Sequence, residues 1–254
     1  MNPPVALSVA GSDPSGGAGI AADLATFAAL GVHGAAAITA VTAQNTVGVQ
    51  GVHPIPADFV AQQLDSVLND LPVRAVKTGM LANRETIAVV GEYAADGRLP
   101  NLVVDPVMVS STGARLLDAG AEALYLELLK YATVATPNTR EAAVLQEVAG
   151  LDGMGELGSL CPGWLVVTGE ATATDRVHHD GDWAELTGDI VETGNDHGTG
   201  CTFSSAVAAG FATGLEPMDS IAAAKEFVRQ RIVRSANWQI GSGRGPVAHL
   251  MGPK

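Results

Sequence analysis

The chain has 254 residues, of which 47% are hydrophobic and 16% charged, enough apolar material for a large buried core and too much for a disordered chain. Its net charge is −13, and no basic cluster is longer than the helix face at 229–234, which excludes nucleic acid as an expected partner. No apolar run reaches the roughly 20 residues of a membrane span, so no membrane is expected either.

In chain order, "VALSVA" at 5–10 reads as a strand that ends in Gly11. "GIAADLATFAALG" at 19–31 has helical spacing at Ile20, Leu24, Phe27 and Leu30, then a glycine stop. "AAAITAV" at 35–41 reads as a strand, and "PADFVAQQLDSVLNDL" as an amphipathic helix. "RAVKTG" at 74–79 is a short strand, and "RETIAVVGEYAADG" a helix ended by Gly97. The alternation repeats through the strand "NLVVDP", the helix "AEALYLELLK", the strand "ATVATP" and the helix "TREAAVLQEVAG". "LDGMGELGSLCPG" is glycine-rich and barely helical, and "GWLVVTG" at 163–169 is a strand. "DRVHHDGDWAELTGD" reads as a hairpin with Asp180-Gly181 as its turn. A helix from Cys201 and a long one near 218–236 follow.

Strands with near-continuous apolar runs, alternating with helices, predict one α/β domain with a parallel sheet covered on both faces. Ligands in such sheets sit beyond the strands' carboxyl ends. That points to residues 11–19, 42–45, 79–80, 105–108, 137–138 and 168–170. The two cysteines, Cys161 and Cys201, and an N-terminus without a basic signal region read as a reduced, cytoplasmic chain. Cys161, before Pro162, reads as structural.

The loop "GSDPSGGAGIAADL" fails as a P-loop, because Gly17 and Ala18 stand where Lys and Ser/Thr are needed. Its G-x-G-x-x-A spacing resembles a dinucleotide fingerprint, but Thr42, Gln44 and Asn45 replace the acidic partner such a site requires. Two readings remain: a tight strand-to-helix turn, and a backbone that closely approaches a small substrate, with Asp13 and Asp23 flanking it.

Asp105 follows the strand "LVV", as a turn residue before Pro106 or as a carboxylate facing ligand. Asn138 and Glu141 have the spacing of a helix capping box; alternatively, Asp105 and Glu141 hold the waters of a magnesium ion. In "HGTGCTFSSA", Gly198 and Gly200 free the backbone N–H groups of a helix N-terminus to face one anion, and Thr199 adds a hydroxyl. The same helix end is expected to lower the Cys201 thiol pKa, suiting it to accept a proton. His197 reads as a loop residue.

Six segments, "AGSDPSGGAGIAADL", "ITAVTAQNTVGVQ", "VKTGMLA", "VVDPVM", "TPNTREA" and "HGTGCTFSSA", resemble in order those of the hydroxymethylpyrimidine/phosphomethylpyrimidine kinases of thiamin biosynthesis, within the ribokinase-like superfamily. The resemblance implies a three-layer α/β/α fold with a mainly parallel central sheet. It also implies ATP-dependent phosphorylation of a pyrimidine hydroxymethyl group and then of the monophosphate. By the same resemblance Gln44 hydrogen-bonds the aminopyrimidine, and Gly11, Ala18, Asp23, Met80 and Val107 line its pocket. Asp105, Asn138 and Thr168 serve ATP, and Asp105 and Glu141 serve Mg²⁺. Gly198, Thr199 and Gly200 form the anion hole, and Cys201 stands where ribokinase-type sugar kinases carry an aspartate base. A homodimer is implied as well. The sequence departs from the family pattern in "VVTGEATATD", read as a flap, where Thr168 replaces a lysine expected near the ATP phosphates. The segment before Trp164 is also shorter than the pattern. Pyridoxal kinase and a non-catalytic pyrimidine-binding homologue are the alternatives.

Overall fold

The computed structural model describes residues 2–169 and 173–249. Residues 170–172, within the segment read as a flap, and the last residues of the tail lie outside the described part. Along the chain the elements are β1 (Val5–Ala10), α1 (Gly19–Ala29), β2 (His33–Ile38), β3 (Ala40–Asn45), β4 (Gly48–Pro54), α2 (Ala57–Leu68), β5 (Val73–Thr78) and α3 (Arg84–Ala95). They continue as β6 (Leu102–Val104), α4 (Glu122–Leu129), β7 (Val134–Ala135), α5 (Thr139–Ala149), α6 (Met154–Gly158), β8 (Trp164–Val167), β9 (Thr174–His179), β10 (Asp182–Thr187), α7 (Thr199–Thr213) and α8 (Pro217–Ser235).

The main sheet runs β10-β9-β8-β7-β6-β5-β1-β2. Six strands, β1, β2 and β5 to β8, pair in parallel, while β9 and β10 extend the edge antiparallel. Every residue of β1 is buried, as its near-continuous apolar run requires of a strand covered on both faces. Its side chains divide between two cores. Leu7 and Val9 pack with Val60, Ile87 and Tyr125 on the face covered by α2, α3 and α4. Ala6 packs with Phe27, Phe203, Val207 and Phe227 from α1, α7 and α8 on the other. The result is the expected three-layer α/β/α arrangement with a mainly parallel sheet.

One expected strand is two. The apolar run at 35–41 breaks at Thr39, whose N–H donates to Ala10 O and whose hydroxyl donates to Met80 O. The chain then leaves the sheet, and β3 pairs antiparallel with β4 as a separate hairpin around Thr46 and Val47. The second hairpin, β9–β10, turns at Asp180-Gly181 as expected, both with positive φ. Near the C-terminus, α7 begins at Thr199 rather than Cys201.

Candidate active site

The residues that follow β1, β5, β6, β7 and β8 open on one cavity of about 780 Å³. Gly11, Ala18, Gln44, Met80 and Val107 line one part of it. Asp105, Asn138, Glu141 and Thr168 line another, and Gly198, Thr199, Gly200 and Cys201 face the same space. Of the residues expected to touch ligand, Asp23 alone does not line it.

The backbone contacts explain two of the glycines. Gly11 donates its N–H to Met80 O at 3.1 Å, and a Cβ on it would lie 2.9 Å from the Met80 sulfur. Gly198, the residue before α7, has φ +86, and a Cβ there would overlap Gly17 O. The helix end is thus pressed against the loop after β1, and its first residues, Thr199, Gly200 and Cys201, line the cavity.

Asp23 is fully buried beneath the cavity. It accepts from Ser8 Oγ at 2.5 Å, from Ser205 Oγ at 2.7 Å, and from Lys77 Nζ at 3.0 Å on each oxygen. The expectation that it lines the pyrimidine pocket is therefore corrected: four elements, α1, β1, β5 and α7, close over it. Lys77 is the charged partner in this network that the sequence reading missed. A lysine inside "RAVKTG" carries no local sign of burial, yet its side chain is wholly enclosed and its Nζ lies 3.9 Å from Asp105 Oδ2. Burial disfavours its charge, but the attraction of Asp23 and Asp105 overcomes this and holds its pKa well above the usual lysine range.

Asp105 faces the cavity from the end of β6. Burial pushes its pKa up to about 6 against the opposing pull of Lys77 and of the Ser204 hydroxyl, which donates to Oδ2 at 3.0 Å. Cys201 overturns the expectation of an activated thiol. Burial, with Asp23 and Asp105 nearby, pushes it up to about 12 despite Lys77, so at neutral pH it is a neutral thiol. Burial is the main cause, and the two carboxylates brought in from distant parts of the chain add to it. Cys161 is buried, and both cysteines are free thiols.

Asn138 and Glu141 form the capping box. Asn138 Oδ1 accepts from the N–H groups of Arg140 and Glu141, and Glu141 Oε2 accepts from Asn138 N at 2.9 Å. The cap does not remove them from the site, since both also line the cavity. Among the described residues no group of three or more His, Cys, Asp or Glu side chains is placed to hold a metal ion. A magnesium ion needs less. It keeps most of its waters and uses one or two carboxylates with substrate phosphates. Asp105 and Glu141 are hard oxygen donors, and the Thr136 hydroxyl, buried and lining the cavity beyond β7, has no hydrogen-bond partner in the protein. These residues fit such an ion.

His197, read from sequence as a loop residue, also lines the cavity and is 5% exposed. The sign that could have drawn attention to it is its place immediately before the glycine-led helix.

A parallel sheet opening on a cavity with a helix N-terminus and two carboxylates defines a ribokinase-like small-molecule kinase. The solved structures agree. The chain is similar to a pyridoxal kinase from Bacillus subtilis in complex with ADP (TM-score 0.86, 33% identity, 98% of both chains covered). It is similar to a phosphomethylpyrimidine kinase from Clostridium difficile (TM-score 0.76, 34% identity, 90% of this chain and 99% of that one). The hydroxymethylpyrimidine/phosphomethylpyrimidine kinase of Rhizobium meliloti is 46% identical over 97% of each chain. The family model for phosphomethylpyrimidine kinase matches residues 13–248. The chain belongs to the phosphomethylpyrimidine kinase family.

Proposed function

We propose that this chain transfers the γ-phosphoryl group of ATP to the hydroxymethyl group of 4-amino-5-hydroxymethyl-2-methylpyrimidine, and then to the resulting monophosphate, giving the pyrophosphate used in thiamin biosynthesis. The observation that carries this reading is a single cavity that joins the Gln44 side of the site to the Gly198–Cys201 loop. The Gln44 amide both donates and accepts, which suits an aminopyrimidine edge, and Gly11, Ala18, Met80 and Val107 shape the walls around it. The N–H groups at the start of α7 offer fixed dipoles to the charge spread over the transferring phosphoryl group, with Thr199 beside them. Asn138 and Thr168 border the nucleotide side. Asp105 and Glu141 would hold Mg²⁺, which when bound neutralises phosphate charge. No helix among the described residues is long and apolar enough to cross a membrane. A cytoplasmic homodimer that binds no nucleic acid completes the proposal, the last point supported by the net charge of −13.

The likeness to pyridoxal kinase makes pyridoxal the competing alcohol. Measured with Mg-ATP, kcat/KM is expected to be higher for the pyrimidine alcohol than for pyridoxal. The reverse order makes the chain a pyridoxal kinase, and binding of the pyrimidine without ATP consumption makes it a binding protein.

The neutral Cys201 thiol suits a site that must accept a phosphate monoester as its second substrate. Cys201→Asp places a third carboxylate near Asp23 and Asp105, with Lys77 the buried cation between them. Two unit charges about 8 Å apart at an effective dielectric of about 20 repel by about 2 kcal/mol. The second phosphorylation is therefore expected to slow about 30-fold more than the first. Equal losses in the two steps, measured separately with alcohol and monophosphate, contradict this role.

A further inference from the structure

ATP brings a strongly anionic polyphosphate to a chain whose net charge is −13. Carboxylates also outnumber lysines and arginines on the cavity wall. Among the described residues, the lysine and arginine side chains that line it are Arg140, Lys225, Arg229 and Arg244. Three of them are neutralised by the chain itself. Lys225 Nζ donates to Asp175 Oδ2 at 2.8 Å and to Ala173 O at 2.9 Å. Arg229 donates to the two Glu226 oxygens at 2.7 and 2.8 Å. Arg244 Nε donates to Asp196 Oδ1 at 2.7 Å, with a second bond to Oδ2. Lys77, beneath the cavity, is held by Asp23.

Arg140 differs from all of these. It is exposed, and among the described residues its guanidinium forms no hydrogen bond or ion pair. Glu141 is next in the chain, but adjacent residues on a helix do not face each other. The Glu141 carboxylate turns back into the cap, where Oε2 accepts from Asn138 N at 2.9 Å. Arg140 also stands where a cation is disfavoured. It is the second residue of α5 after the N-cap Asn138, at the positive end of the helix dipole. Arg84, at the start of α3, has the Gly120 carbonyl to bind at 2.7 Å, whereas Arg140 has no such acceptor. A local rule broken without compensation within the fold is the mark of a functional position.

The position suits a nucleotide. Thr168 N donates to Pro137 O at 3.0 Å, and Thr168 pairs with Asn138, so the end of β8 lies beside the start of α5. Arg140 lines the cavity together with Asn138, Glu141 and Thr168. Thr168 offers a hydroxyl there and no charge.

We propose that Arg140 is the cation with which this chain binds the polyphosphate of ATP, beside the Thr168 hydroxyl and the start of α5. Its planar guanidinium can give two parallel N–H bonds to phosphate oxygens. The bound anion also removes the conflict with the helix dipole, because the same helix end attracts it. The inference rests on the kinase reading above.

The test is calorimetric binding of Mg-ADP to the wild-type chain, Arg140→Ala and Arg140→Lys, together with KM for ATP and for the pyrimidine alcohol. Adenosine, which has no phosphate, is measured as a competitor of ATP. The proposal predicts that Arg140→Ala weakens Mg-ADP binding and raises KM for ATP by about 10–100-fold. Adenosine and pyrimidine affinities stay unchanged, and Mg-ADP binding becomes less sensitive to salt. Arg140→Lys recovers part of the affinity, since a point charge replaces the fork. Without nucleotide, the thermal midpoint of Arg140→Ala is expected to equal or exceed that of the wild type, because the cation removed opposes the helix dipole. Unchanged Mg-ADP affinity overturns the proposal. So does an equal loss for adenosine, or a lowered midpoint with both substrates weakened, as for a residue that merely shapes the wall. A wild-type chain that binds Mg-ADP but phosphorylates no alcohol overturns the kinase reading instead, while the Mg-ADP affinities still decide the role of Arg140.

Discussion

Lys77→Met is expected to lower stability by about 3–5 kcal/mol, because it leaves the Asp23 carboxylate buried without its cation. Ser8 and Ser205 still donate to that carboxylate, but two neutral hydroxyls do not replace a charge held 3.0 Å from both oxygens. For a chain of this size the thermal midpoint falls by roughly 10 °C. The double variant Lys77→Met/Asp23→Leu is expected to recover part of the loss, since the Asp23 charge is removed with its cation, while Ser8 and Ser205 lose their acceptor and Asp105 loses the attraction of Lys77. Thermal unfolding followed by circular dichroism decides it. A single variant as stable as the wild type contradicts the account of the buried pair. The pair also ties α1 and β1 to β5 and α7, so the single variant is expected to lose activity before it unfolds, through displacement of Asp105 and the start of α7.

Gly198→Ala carries the second large effect. Its φ of +86 costs an L-residue about 1–2 kcal/mol, and the added Cβ would overlap the Gly17 carbonyl, a backbone atom that cannot swing aside. The loop must shift, and the N–H groups of α7 lose their aim. Misplacing such donors costs about 10²–10³ in kcat, with pyrimidine affinity nearly unchanged because the Gln44 side of the cavity is untouched. Gly200 is a control for stability: a Cβ there meets nothing within 4 Å, and its φ is not in the left-handed range. Gly200→Ala is therefore expected to fold as well as the wild type. A Gly198→Ala chain with wild-type kcat contradicts the anion-hole assignment.

The sheet was legible because strands buried on both faces carry near-continuous apolar runs. "LVV" is apolar throughout and "VALSVA" is so apart from Ser8, and each is followed by residues that reach the cavity. The hairpin of β3 and β4 was not legible. Ala40 and Val41 prolong the apolar run of β2, and the break is made by Thr39, whose bonds reach Ala10 and Met80. The same distinction divides the site. Glycines and caps are local: Gly198 before a helix and Asn138-x-x-Glu141 can be read from a few residues. Charges in the interior are not. Lys77 meets Asp23 across 54 residues, and His197 meets Asp13 across 184. The Cys201 thiol shows the consequence. Its neighbours along the chain predict a lowered pKa, and its neighbours in space raise it to about 12.

The most direct test of the reading is the product formed from 4-amino-5-hydroxymethyl-2-methylpyrimidine with excess Mg-ATP, followed by ³¹P NMR. The account predicts the monophosphate first and then its conversion to the pyrophosphate, with one ADP formed for each step. Monophosphate that accumulates without conversion, or ADP formed without any phosphorylated pyrimidine, would contradict it.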